Sequence, residues 1–571
     1  MSDDGAVDSV TLEVTRNAAA AVCEEMNATL VRTGYSPNIK ERRDCSCALF
    51  DADAEMVAQA ENMPVHLGAM PFSVRAAVDR FPPETLDPGD AVLLNDPFEG
   101  GAHLPDLTLV TPVFHEADLV AFAANRAHHA DIGGSRAGSV AADSTEIYQE
   151  GLRIPPVKLF EAGEPNEAVF ELIRSNVRTP DERRGDLRAQ EAANETGRER
   201  VTDLVERYGP DRLAAALDEV TDYSERRMRA EIESLPDGTY RFADVLDDDG
   251  TGNEDLPIEA AVTVDGDEVT VDFDGTAPQT TGAINAVFAV TASATYYAVR
   301  CVTDPDIPPN HGCYRPIRVV APEGTIVNPE PPAAVVGGNL ETSQRVTDVV
   351  LGAFAEVVPE RVVAGSQGTM NNVTFGGTDP RDGSPYAFYE TQGGGFGGRA
   401  GRDGMDGVHV HMSNTMNTPA EVLETAYPLR VTRYELRQDS GGAGEFRGGL
   451  GLRRDIQVRD HTATFSLLAD RHDHRPYGLL GGGDGESGSG VRIDPDGTET
   501  RLPQKSTHDL PPGTTVSIRT PGAGGYGDPD DRATDAIERD LKLGKVSAAF
   551  ALEAYGYDAR SDESEMDGDA E

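Results

Sequence analysis

Between Asp96 and Glu150 the chain concentrates side chains that bind metals and move protons. Two clusters stand out: His103-x-x-Asp106, preceded by Asp96 and Glu99, and His128-His129-x-Asp131. Only 12 histidines occur in 571 residues, yet His103, His115, His128 and His129 fall close together. Imidazole nitrogens mixed with hard carboxylate oxygens, with no thiolate beside them, suit manganese, iron(II) or zinc in a catalytic site. Ligands drawn from separate turns leave a coordination position free for water or substrate. The competing account makes them hydrogen-bonded loop residues packing an interface. Adjacent histidines project apart, so His128 is taken as the ligand and His129 as a flanking residue.

Short strands and turns must position these groups. The apolar runs Ala91 to Leu94 and Leu107 to Val113 read as buried strands. Asn95 to Gly101 reads as a tight turn whose diglycine allows close backbone approach, with Asp96 able to orient a ligating histidine. Upstream, Val14, Ala18, Val22, Met26 and Leu30 give one apolar stripe of a helix that stops near Gly34. Cys45 to Phe50 and Met56 to Ala58 read as strands, His66 lies in the following loop, and a short helix is expected over residues 71–81. Arg43, in Arg42-Arg43-Asp44, is a candidate anion-binding group.

Segments 181–208 and 210–235 predict two long helices around Gly209-Pro210, an antiparallel hairpin. Past Gly238 the period falls to two, a meander turning at Asp265-Gly266. The fold class is α+β and multidomain, with mixed and antiparallel sheets, a helical hairpin insert and glycine-rich loops. The expected division is an α+β domain with the candidate site and hairpin over 1–235, and a β-rich domain over 236–345. An α+β domain with glycine-rich loops over 346–475, a small β/α segment over 476–557 and a disordered acidic tail over 558–571 complete it.

Several classes of function are disfavoured. The glycine run at 393–404 has no lysine and does not match a phosphate loop, so it is expected to be a flexible or tightly turned loop and this chain is not expected to bind ATP. The net charge of −49 is spread along the whole chain, with only five lysines. Such a surface suits a hypersaline cytoplasm, where screening over about 3 Å near 1 M salt quenches self-repulsion. It also repels nucleic acid and anionic membrane, so neither is an expected partner. The five cysteines and the lack of a long apolar span or leader-like start fit a cytoplasmic protein without a disulfide framework.

Several long segments, RRDCSCALFDADAEMVAQAENMPVHLGAM, NDPFEGGAHLPDLTLVTPVF, NRAHHADIGG, QEGLRIPPVKL, NTPAEVLETAYPLRV and GAGGYGDP among them, together resemble the hydantoinase B/oxoprolinase family. The resemblance covers nearly the whole chain. It implies a two-component enzyme, a hetero-oligomer in which an A-type subunit binds ATP and phosphorylates a substrate carbonyl oxygen. The present chain would receive that species at a metal, manganese first, with zinc or iron as alternatives. The family's His-x-x-Asp pair and later histidine fall on His103, Asp106 and His128. His129 and Asp131 would move protons; Asp96, Glu99, His66, Arg43 and Glu150 would orient ligands or contact substrate. The implied reaction is ATP-dependent hydrolysis of a cyclic amide of the N-methylhydantoin or 5-oxoproline kind. The alternatives are a carboxylase of acetone or aryl ketones and a scaffold without catalysis.

Overall fold

The computed structural model describes residues 8–60 and 62–559, so the expectations for the first seven residues and for an acidic tail beyond 559 lie outside it. Helix α1 (Ser9–Thr33) starts at Asp8, whose carboxylate caps the amides of Val10 and Thr11 at 3.0 Å. Its buried face is Thr15, Ala19, Val22, Cys23, Met26 and Leu30, while Val14 is exposed. A strict four-residue spacing drifts about 40° per repeat at 3.6 residues per turn, which carries the first members of the predicted stripe off the packed face.

A one-turn helix α2 (Pro37–Lys40) leads into β1 (Cys45–Asp51) and β2 (Met56–Gln59). Helix α3 (Pro64–Arg80) begins earlier than the sequence suggests. Pro64, not Pro71, takes the first helical position, and Pro71 lies inside the helix. His66 therefore sits on a helical turn rather than in a loop. Strands β3 (Ala91–Leu94), β4 (Asp106–His115), β5 (Asp118–His128), β6 (Val157–Glu161) and β7 (Glu164–Pro165) complete a seven-stranded antiparallel sheet of order β2-β1-β5-β4-β3-β6-β7. The predicted helical hairpin follows: α4 (Glu167–Asn176), then α5 (Pro180–Tyr208) and α6 (Pro210–Glu233) either side of Gly209, whose φ of +83° makes the reversal.

Register decides what each face of the sheet carries. Ser46 opposes Arg126 across β1 and β5, and Asp106 opposes His128 across β4 and β5. With a two-residue period, Ser46, Ala48, Phe50, Thr108, Asp106, Arg126 and His128 share one face. Cys45, Cys47, Leu49, Ala123, Asn125 and Ala127 share the other, against α1 and α5.

The middle of the chain forms β8 (Gly238–Asp248), β9 (Glu254–Asp265), β10 (Glu268–Asp272) and β11 (Ile317–Val320), ordered β11-β10-β9-β8. The β10–β11 pair is parallel, which makes the fold mixed. Helices α7 (Phe288–Val302), α8 (His311–Tyr314) and α9 (Ser343–Phe354) pack here, and a π turn, Gly338–Thr342, leads into α9. One apolar cluster runs from Ala48 to Leu468 and joins this part to the first sheet.

In the last third, β12 (Asn372–Thr378) and β13 (Pro385–Glu390) precede helix α10 (Ala420–Ala426) and strands β14 (Leu429–Leu436), β15 (Leu452–Val458) and β16 (Ala463–Leu468). Strands β17 (Ser489–Ile493), β18 (Glu499–Leu502), β19 (Lys505–Leu510) and β20 (Thr515–Arg519) follow. They assemble as β13-β12-β16-β19 and β14-β15-β20-β17-β18 around Phe375, Ile456, Phe465 and Val516. Helices α11 (Thr534–Lys542) and α12 (Ala548–Tyr555) close the chain. The glycine runs are not free loops. Gly398 N donates to Gly524 O, Gly449 N to Phe396 O and Ala523 N to Gly449 O, at 2.9–3.0 Å. A Cβ on Gly449 would lie 1.9 Å from the Met405 carbonyl. Three segments approach so closely that only glycine fits between them. Among the described residues no helix is long and apolar enough to cross a membrane.

Candidate metal centre

His103, from the loop before β4, Asp106 at the start of β4 and His128 at the end of β5 converge, with one ligand atom of each within 4.8 Å of the others. The β4–β5 register puts Asp106 directly beside His128, and the His103-x-x-Asp106 turn folds back so that His103 Nδ1 lies 2.9 Å from Asp106 Oδ2. His128 Nδ1 is 3.3 Å from Asp106 Oδ1. All three are at most 2% exposed. Neither Asp106 oxygen, nor His128 Nε2, has an aligned hydrogen-bond donor. A buried carboxylate ringed by imidazole nitrogens with no aligned donor is costly unless a cation sits among them. The donor set therefore fits a divalent metal of the manganese, iron or zinc kind.

The surroundings tune these groups. Burial alone would raise the Asp106 carboxyl, but His103 and His66 hold it well below the usual carboxylate range. Burial lowers the pKa of His103, against the pull of Asp106, which favours the neutral imidazole that binds metals. From the first turn of α3, His66 Nε2 reaches Asp106 Oδ1 at 3.3 Å and Asp44 Oδ1 at 3.9 Å, with Ser46 Oγ 3.4 Å from its Nδ1.

Side chains distant in sequence close the centre. The Tyr389 ring, from β13, stacks on His128, and Asn339 of the π turn places its Nδ2 3.3 Å from His103 Nδ1. Arg42 is buried; its guanidinium lies 5.0 Å from the Tyr389 ring centroid and donates to Tyr389 O and Thr391 Oγ1 at 2.9 Å. Arg126, on the same face as His128, donates to Thr108 Oγ1 and Ser73 Oγ, and its Nη1 has no partner. Sequence reasoning singled out none of Tyr389, Asn339 or Arg126, and in Arg42-Arg43-Asp44 it chose the middle residue over its two neighbours. The two-residue alternation from His128 back to Arg126 was a local signal available for that arginine.

Several candidates lie elsewhere. His129 follows the end of β5 on the opposite side from His128, with Nε2 2.9 Å from Gln190 Oε1 of α5, and burial with the nearby Arg183 lowers its pKa to about 4. Asp131 folds a loop: its oxygens accept the amides of Gly133, Gly138 and Arg178 and the Arg178 guanidinium at 2.8–3.2 Å. Neither joins the cluster, because strand alternation turns residue 129 away and every Asp131 lone pair is already used. Asp96 caps the turn Pro97–Glu99 and pairs with Arg153 at 2.7 Å instead of orienting a histidine. Glu99 is exposed. Arg43 points to solvent at a φ of +55°, and the inward arginine is its neighbour, Arg42. Glu150 is buried but distant in role: its Oε1 accepts the amides of Val335 and Val336 at 2.9 and 3.1 Å, steadying the segment before Asn339. Burial pushes its carboxyl up to about 8.

Comparison with known proteins agrees with this architecture. Residues 8–529 match the family model described as hydantoinase B/oxoprolinase. The chain is 38% identical to 5-oxoprolinase 1 of Arabidopsis thaliana over 546 residues, 92% of this chain but only 42% of that longer protein. An ATP-dependent caprolactamase from Pseudomonas jessenii superposes with a TM-score of 0.91 at 32% identity, covering 97% of both chains. A nucleotide-free acetone carboxylase chain shares the fold, with a TM-score of 0.87 at 20% identity over 96% of this chain and 79% of that one. The chain belongs to the hydantoinase B/oxoprolinase family.

Proposed function

We propose that this chain is the ring-opening subunit of an ATP-dependent cyclic amide hydrolase, acting with a separate A-type ATP-binding subunit. The convergence of His103, Asp106 and His128 carries the proposal. The chain spans 42% of the 5-oxoprolinase it resembles, and the family resemblance supports a reading in which a separate part carries out the phosphorylation.

A lactam or imide carbonyl is resonance-stabilised and its nitrogen is a poor leaving group, so carbonyl phosphorylation by the partner is the activating step. A divalent cation, manganese first, held by His103, Asp106 and His128 would supply Lewis acidity toward a carbonyl or phosphoryl oxygen and acidify water. His66 Nε2, facing both Asp44 and Asp106, is the group placed to take a proton and pass it on. Tyr389 and Asn339 fix the imidazole planes of His128 and His103. Arg126 brings the positive charge that a phosphorylated substrate requires, on the face that carries His128.

The test is reconstitution of the chain with its A-type partner in molar salt, assayed on hydantoin, 5-oxoproline and caprolactam. Ring opening that needs ATP and a divalent metal supports the proposal. Turnover of a ketone that needs bicarbonate would replace it with carboxylation, which the acetone carboxylase likeness favours only at the level of fold.

A further inference from the structure

A cavity of about 360 Å³ lies away from this centre, between α7, α9 and the glycine-rich segments. His411 lines it, 4% exposed, with neither ring nitrogen hydrogen-bonded. Its backbone is held at a φ of +47°, a left-handed conformation that a non-glycine residue adopts at a cost. Strain together with an unsatisfied buried imidazole is unfavourable to stability alone, and such features collect where ligands bind.

The geometry defines what would satisfy this histidine. His411 Nε2 lies 3.6 Å from Asp348 Oδ1, and Asp348 Oδ2 is held by Arg471 at 3.2 Å. The aspartate favours the tautomer with its proton on Nε2, leaving Nδ1 as an acceptor. Burial lowers the His411 pKa, against the pull of Asp348, which keeps the ring neutral. A partner must therefore donate a hydrogen bond. Tyr297 and Phe396 flank the imidazole, with ring centroids 5.9 and 5.6 Å away, and form walls suited to a flat apolar body. At the mouth, Arg399 lies over Phe396 and has no carboxylate partner among the described residues, and Arg361 sits beside it. Glu360, on the same rim, is solvent-exposed. The volume falls in the range of small-molecule sites.

We propose that this cavity is a second ligand site, which binds a small planar organic carboxylate bearing a hydrogen-bond donor at its far end. The carboxylate pairs with Arg399, the flat body lies between Tyr297 and Phe396, and the donor reaches His411. The site shares none of its lining with the metal centre, so it binds with or without metal loading.

Cys301 provides the readout, because it lines the cavity and is the one exposed cysteine of five. The probe is 4-hydroxybenzoate, with benzoate lacking the donor and 4-hydroxybenzamide lacking the charge. Alkylation of Cys301 by iodoacetamide, followed by mass spectrometry, should slow about fivefold or more under saturating 4-hydroxybenzoate, and both analogues should bind about tenfold more weakly. Arg399→Gln, at a partly exposed position, and His411→Asn, which tolerates the left-handed backbone, should each weaken binding about tenfold while the chain stays folded by circular dichroism. Labelling unaffected by about 10 mM 4-hydroxybenzoate, a millimolar Kd being the weakest binding of interest, overturns the proposal. So does equal protection by all three probes, or unchanged binding in both variants.

Discussion

The imidazole of His128 stacks on the ring of Tyr389, with centroids 4.6 Å apart and planes 19° from parallel, although 261 positions separate the two in sequence. The stack brings β13 of a later sheet onto the end of β5, and Tyr389 Oη in turn donates to Asn372 Oδ1 at 3.0 Å. Tyr389→Ala should weaken metal binding about 10–100-fold, the usual cost of losing a group that orients a ligand. Tyr389→Phe keeps the stack and should retain most of the affinity. Metal titration of both variants checks this.

His103→Ala and Asp106→Asn should each abolish stoichiometric metal in the purified chain and reduce coupled turnover at least about 1,000-fold. Metal content by mass spectrometry reads the first effect without depending on the second. Full metal occupancy in both variants would defeat the assignment.

The adjacent histidines should separate cleanly. His128→Ala is expected to lose the metal. His129→Ala should keep it and lose about 1–3 kcal/mol of stability, since it strands Gln190 Oε1 on the buried side facing α5. Parallel metal analysis and denaturant unfolding decide it.

The neighbouring arginines behave likewise. Arg42→Ala removes donors to Tyr389 O and Thr391 Oγ1 and leaves Asp44, 3.6 Å away, with one less cation. It should cost about 2–4 kcal/mol. Arg43→Ala alters an exposed residue and should stay within about 0.5 kcal/mol of the parent.

Glu150 gives the chain a pH dependence with a definite sign. Its folded-state carboxyl titrates at about 8, above the unfolded value, so the stability it contributes is present below pH 4.5 and is lost as pH rises through 8. Glu150→Gln still accepts the Val335 and Val336 amides but cannot ionise. At pH 9 the variant should be more stable than the parent by on the order of 1–3 kcal/mol, and at pH 5 the difference should shrink toward zero. Denaturant melts at the two pH values measure it.

Much of the secondary structure was legible because it follows from local patterns. The helical hairpin around Gly209-Pro210 and the strands at Ala91 and Leu107 announce themselves by period and turn chemistry. The start of α3 was not legible, because Pro64 and Pro71 both suit a first helical turn and packing chose the earlier one. The glycine runs read as loops, since interlocking of three distant segments leaves no periodic trace.

For the centre itself, residue types and the resemblance together named His103, Asp106 and His128, and the β4–β5 register brings them together. Local chain direction decided the rest: His128 ends β5 facing α3 and His129, just past the strand, faces α5, while in the turn before β1 one step separates buried Arg42 from exposed Arg43. Tyr389 and Asn339 could not be named from the sequence, because their nearness to the histidines is made by packing between sheets hundreds of residues apart. The ligand chemistry is thus a property of composition and spacing. Which side chains surround it is a property of the tertiary fold, because only burial fixes the direction in which each one points.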